Sequence, residues 1–313
     1  MGRWSKRNKK NTLTADSQKT LNRMFEHGKN RSRHKDKIEG CDKEYIYSER
    51  TFRTYQREAR HFVEWLLIAH PETLHLKQAR HFINEYLQTL INEGKSAYTI
   101  STRKAALAKL FQTDCSEFIE TPGRYRRNIT RSRLDTEYDR HISDKKERYY
   151  AAFTSAMGGR RAEMERVRGT DLVYLDERQE IYYDKQGNQK VLTMPAGYYV
   201  HFTRGTKGGK PRYALIIGED EKETERIVRM FKEAGSFPVF GKLPAAYDNH
   251  HYRAQYAKRA YQKFARTEIP QEDRYIMRKE RAGEVLDKAA MAAVSKFMGH
   301  NRLDVIAGHY LYG

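Results

Sequence analysis

A chain of 313 residues, 38% hydrophobic and 32% charged, has room for two modest cores beneath a heavily solvated surface. Its net charge of +19 and sequence pI of about 9.7 call for a polyanionic partner, held by phosphate attraction and counter-ion release. No apolar run approaches the ~18 residues of a membrane span, the N-terminus lacks a signal peptide's apolar core, and two cysteines, Cys41 and Cys115, are too few for a zinc module. The expected setting is a cytoplasm with reduced thiols, and the expected partner is nucleic acid.

Residues 1–44 form the most basic stretch, with twelve Lys/Arg against four Asp/Glu in the first forty positions. Their weak apolar periodicity predicts a solvated basic tail that clasps a polyanion, with helix-like spacing only over 13–25. From Ser48 the pattern changes. Phe52, Tyr55, Ala59, Phe62, Val63 and Leu66 recur at helical spacing, Ser48 can cap the first turn, and His70-Pro71 ends the run. A second stripe joins Ala79, Phe82, Ile83, Tyr86, Leu87, Leu90 and Ile91 and closes at Gly94. A third follows Ser96, with Ile100, Leu107, Leu110 and Phe111 on one face. Residues 45–118 are therefore expected to form a small helical bundle. Arg57, Arg60, Lys95, Arg103 and Lys104 fall mainly on its remaining faces, where solvated side chains and phosphate contacts are both in keeping with the composition.

Thr121-Pro122-Gly123 breaks the pattern, and Arg124, Arg126, Arg127, Arg131 and Arg133 follow. Residues 119–140 are read as a basic linker, either floppy or lying along a phosphate backbone. A domain over 141–313 comes next. It opens with a helical stretch, then shows strand patterns over 172–175, 180–183, 198–203 and 213–217. Turns at Gly187-Asn188 and Gly208-Gly209 separate these patterns. Helical spacing resumes at 221–234, at 251–266 and from 280 onward. The fold class is thus mainly α with a small antiparallel β-sheet, a helical N-terminal domain preceding a mixed α/β domain.

Five short motifs carry the chemistry. Gly158-Gly159-Arg160-Arg161-Ala162-Glu163-Met164 places Arg160 where a helix should begin. Thr206-Lys207-Gly208-Gly209-Lys210 puts Lys207 at a hairpin tip. Tyr275-Ile276-Met277-Arg278 holds a further arginine, Met298-Gly299-His300 a histidine, and Tyr310 closes the series. Singly, each fits a surface or packing residue. In this order, behind a basic helical bundle, they resemble the tyrosine recombinase and phage-type integrase family over roughly 48–313.

That resemblance implies a helical SAM-like core-binding domain and a catalytic domain of the DNA breaking-rejoining type. It implies cleavage through a 3′-phosphotyrosine and rejoining without metal, ATP or cofactor, by a tetramer on double-stranded DNA, often with a directionality factor. Arg160 and Arg278 would clamp the phosphate, since paired guanidinium N–H donors match its oxygens as lysine cannot. Lys207 would protonate the leaving 5′-oxygen. His300 would bind phosphate or assist the departing tyrosine proton, Glu163 would orient its neighbours, and Tyr310 would attack. An ordinary phenol, ionising near ~10, needs such help at neutral pH.

Three departures stand out. Tyr275 fills a slot usually held by His or Lys, three residues before the second arginine. Tyr310 lies ten residues after His300, one beyond the commonest spacing, which keeps Tyr312 as an alternative nucleophile. The stretch between Arg160 and Lys207 is long enough for an extra hairpin around 180–200. The His250-His251 pair lacks carboxylates or cysteines at ligand spacing, so no metal is expected there. The leading expectation is a site-specific recombinase of a mobile element, associated with the nucleoid. A type IB topoisomerase-like enzyme and a catalytically silent DNA-binding protein on the same scaffold are the rivals.

Overall fold

The computed structural model describes residues 6–125, 142–183, 187–300 and 302–311. The chain divides into two compact units, residues 1–132 and 133–313.

The first unit is helical: α1 (Lys6–Gly28), α2 (Arg33–Ile38), α3 (Glu49–Ala69), α4 (Leu76–Ala79), α5 (Ile83–Asn92) and α6 (Ala97–Leu110). Ser48 and Ser96 cap α3 and α6, their hydroxyls accepting from the amides of Thr51 and Thr99 at 3.3 and 3.2 Å. The apolar stripes read from the sequence meet in one core: Phe62, Val63 and Leu66 of α3, Ile83 and Leu87 of α5, and Ile100 and Leu107 of α6 are all fully buried. Each such side chain contributes roughly 1.5–3 kcal/mol of burial. Where a solvated tail was expected, α1 runs to 23 residues and packs along α3. Leu13 and Leu21 are fully buried in the same core, and Phe25 stacks on Phe52 at 4.6 Å.

The second unit contains α7 (Asp144–Met157), α8 (Arg161–Met164), α9 (Glu221–Ala234), α10 (Asn249–Phe264), α11 (Lys288–Met298) and α12 (Leu303–His309). Its strands are β1 (Leu172–Leu175), β2 (Arg178–Tyr183), β3 (Gln189–Met194), β4 (Gly197–Phe202), β5 (Arg212–Leu215), β6 (Arg274–Ile276) and β7 (Val285–Asp287). Strands β1, β4 and β5 form an antiparallel sheet in the order β1-β4-β5, registered by Val173↔Tyr199 and Val200↔Ala214. The extra hairpin is β2–β3, with Ile181 opposite Val191. It is tied to α11 by the Lys296–Glu180 pair at 2.8 Å. A further hairpin, β6–β7, falls where the sequence showed no strand signal. Helix α10 packs on both α7 and α11, and α11 packs on β5 and α12. The C-terminal ends of α7 and α11 are thereby drawn to the buried face of α10. The class is as expected, mainly α with small antiparallel sheets.

Candidate active site

The chain reverses sharply after α7. Gly158 caps that helix at φ +59°, and a Cβ there would lie 2.3 Å from the ring of buried Tyr256. Only glycine meets both demands. The turn delivers Arg160 to the start of α8, one turn ahead of Glu163. The Arg160 amide donates to Glu163 Oε2 at 2.6 Å and its Nη1 to Oε1 at 2.7 Å, while Nη2 reaches the Met298 carbonyl at 3.1 Å. Glu163 itself is fully buried.

Two further arginines converge on that carboxylate. Arg212, the first residue of β5, donates to Glu163 Oε2 at 2.6 Å and Oε1 at 3.3 Å, to the Gly158 carbonyl at 3.1 Å and to that of Phe297. Arg253, on α10, is fully buried. It donates to the carbonyls of Gly158 and Met298, and its Nη1 lies 3.9 Å from Glu163 Oε2. Burial alone would raise the Glu163 pKa. The charge and hydrogen bond of Arg212, the charge of Arg253 and the Arg160 amide outweigh it and hold the group down at about 2. Burial and the repulsion of Arg212 and Arg160 pull Arg253 down to about 10, so it remains a cation at neutral pH.

The C-terminal box completes the pocket. Gly299 caps α11 at φ +64°, and a Cβ on it would press to 2.7 Å from Arg212 Cδ. His300 follows, its backbone fixed by exchange with Ser295: the His300 amide donates to the Ser295 carbonyl at 2.8 Å, and Ser295 Oγ donates to the His300 carbonyl at 2.9 Å. Tyr310 ends α12. Its phenol oxygen sits 3.2 Å from His300 Nε2 and 3.4 Å from Arg253 Nε, with the Arg253 guanidinium 5.7 Å from the ring centre. Burial first, then the charges of Arg253, Arg160, Lys207 and Arg212, press His300 down to about 4. At neutral pH the imidazole is uncharged and has a lone pair to accept a proton. Lys207 extends from the turn between β4 and β5, exposed, and its charge is among those felt at His300.

The structure therefore gathers Arg160, Glu163, His300 and Tyr310 at one place, with Lys207 in electrostatic reach. Arg278 is the correction. It is exposed beyond the end of β6 and takes no part in this network, and half-buried Tyr275 packs against the apolar cluster on that hairpin. The second arginine beside the phenol is Arg253. It shares the buried face of α10 with Tyr256, Ala257 and Ala260, whereas Arg278 is exposed one residue beyond buried Met277 at the edge of the β6–β7 hairpin. The sequence held a signal: His250 stands three residues before Arg253, the interval the resemblance sets. Arg212, two residues beyond the lysine motif, carries no such mark. Tyr312 is outside the described residues.

Basic side chains of the first unit divide in two. Arg103 and Lys104 are held internally, Arg103 donating to Tyr86 Oη at 2.9 Å and pairing with buried Glu58. Lys104 donates to the carbonyl of Ile119 at 2.6 Å. Their donors are thereby engaged within the chain. Arg57, Arg60, Lys95 and Arg124 are exposed. Arg50 and Arg53, which the sequence reading passed over, line an open groove with Arg57 on α3. Arg126, Arg127, Arg131 and Arg133 lie outside the described residues. Among the described residues, Asp36, Glu39 and Cys41 bring potential metal ligands within 4.8 Å of one another. Asp36 already accepts from Arg31 and Tyr47, which accounts for the cluster as a local staple.

Residues 42–117 match the family described as phage integrase, N-terminal SAM-like domain, which assigns the helical bundle but a minority of the chain. No curated protein matches in sequence. Among solved structures, the chain is similar to the Tn1549 transposon integrase in complex with transposon right end DNA. Identity is 12% and the TM-score 0.41, over 96% of this chain and 95% of that one. It is also similar to the XerH site-specific recombinase bound to palindromic difH substrate, at 13% identity and TM-score 0.39 over 97% and 93%. At those values the likeness carries no functional weight.

Proposed function

We propose that this chain is a site-specific DNA recombinase that cleaves and rejoins duplex DNA through a 3′-phosphotyrosine at Tyr310. One observation carries the reading. The Tyr310 oxygen stands within 3.4 Å of both a neutral imidazole and a buried guanidinium, beside Arg160 and Glu163. The integrase-type domain over 42–117 supports duplex DNA as the substrate.

In this reading a phosphodiester enters above Arg160, whose side chain keeps 18% of its surface open. It displaces the phenol from Arg253 Nε, so that the two arginines hold its non-bridging oxygens. Tyr310 Oη attacks phosphorus, its proton passing to His300 Nε2, and the bond to the 5′-oxygen breaks. Lys207 gives that oxygen its proton, leaving a 5′-hydroxyl. Charge gathers on the phosphoryl oxygens between the arginines. Losing one preorganised donor of this kind costs ~3–4 kcal/mol. The ester energy is kept in the phosphotyrosine, so the reverse attack by another 5′-hydroxyl rejoins DNA. Four protomers bringing two sites of a mobile element together complete the reading.

A nicked suicide duplex tests it. The wild-type chain should form a denaturation-resistant adduct, and Tyr310→Phe should bind the duplex equally well and form none. Binding without an adduct from the wild type would instead identify a silent DNA-binding protein.

A further inference from the structure

Three guanidiniums surround one carboxylate, and one of the three cannot serve a phosphate. The Arg212 side chain is 5% exposed. Phe202 lies beneath its guanidinium, 4.3 Å from the ring centre, and Gly299 closes over its stem. Nε and Nη2 donate to Glu163, Nη2 also to Gly158, and Nη1 to Phe297. Its donors are directed inward, toward the chain. Arg160, by contrast, keeps 18% of its side chain open, and Arg253, itself fully buried, turns its Nε to the Tyr310 phenol.

The charges explain why such a residue is present. Glu163 must be ionised to accept from Arg160 in two places and fix its direction. A carboxylate that close would cancel much of the positive field needed at phosphorus, because charges interact strongly where water is excluded. Adding Arg212 restores the balance from a position no substrate reaches. Three guanidiniums less one carboxylate leave two positive charges, matching the two arginines that face the phosphate.

We propose that Arg212 is a positioning residue that acts as the buried counter-ion of Glu163, letting Glu163 orient Arg160 without cancelling the charge that Arg160 and Arg253 offer a phosphate. The inference rests on the strand-transfer reading above, and it gives an arginine two residues beyond the lysine motif a part in controlling the site's charge.

The test compares wild type, Arg212→Met, Glu163→Gln and the double variant E163Q/R212M. Single-turnover cleavage of a nicked duplex, duplex affinity and melting temperature are measured for each. Arg212→Met should slow cleavage about a hundredfold with duplex affinity held within a few-fold. The double variant should cleave about tenfold faster than Arg212→Met and melt above it, because removing both members restores the site's two positive charges and leaves no buried carboxylate short of its counter-ion. A pure packing role predicts the opposite: losses that multiply, with the double variant slowest of all. That result, or wild-type cleavage by Arg212→Met, overturns the proposal. If the wild-type chain forms no adduct, the recombinase reading fails, and the melting order of the same variants alone judges the counter-ion: the double variant above Arg212→Met upholds it, the reverse order rejects it.

Discussion

His300 links the chemistry of the site to pH. Burial and four surrounding cations depress its pKa to about 4, against about 6.5 for a free imidazole. As acid is added, the unfolded chain takes up this proton first. The stabilisation is therefore complete above ~6.5 and is lost as pH falls from there toward 4. The melting-temperature advantage of wild type over His300→Gln should shrink across that window, and a constant difference would contradict it. Arg253 and Arg278 separate equally well. Arg253→Lys should cut single-turnover cleavage by about a hundredfold to a thousandfold, since an ammonium cannot hold three acceptors in a plane. Arg278→Ala, on an exposed side chain, should stay within a few-fold. Arg160, Glu163, His300 and Tyr310 were legible because short motifs with glycines mark them. Arg253 had its mark in His250, three residues earlier, but Arg212 had none, because its role arises from burial. Nothing local tells an arginine aimed at a core from one aimed at water.

At the scale of elements, amphipathic spacing decided what could be read. Helices α3 and α5 each carry a dense apolar stripe, α6 a looser one through Ile100, Leu107 and Leu110, and Ser48 and Ser96 stand at the caps the sequence marks. Helix α1 declared itself only over 13–25, not over its basic first turns. Its buried Leu13, Leu21 and Met24 are sparse among polar residues, and the helix packs chiefly along α3. Strands β6 and β7 are three residues each, too short for an alternating pattern. The turn between α7 and α8 yields a stability prediction. Gly158→Ala combines a positive φ with a methyl 2.3 Å from Tyr256, so unfolding should become easier by about 2–4 kcal/mol. Chemical denaturation measures this directly, and an unchanged midpoint would show that the turn tolerates a side chain. The exposed row Arg50, Arg53 and Arg57 on α3 gives another. Replacing each by Gln should weaken duplex binding evenly across sequences and reduce the salt slope by about one per arginine. Loss confined to a single DNA sequence would mean base readout instead.

For the whole molecule, a net charge of +19 makes electrostatics the first fact about how it would meet a polyanion. Affinity should fall steeply and log-linearly with salt. That charge speaks to binding, and the claim of chemistry rests on one oxygen atom. The most direct measurement is to trap the adduct on a nicked duplex, digest it, and locate the nucleotide-bearing peptide by mass spectrometry. A 3′-linked nucleotide on Tyr310, absent from Tyr310→Phe, is the predicted result. A nucleotide on Tyr312, or an adduct that survives Tyr310→Phe, would contradict it.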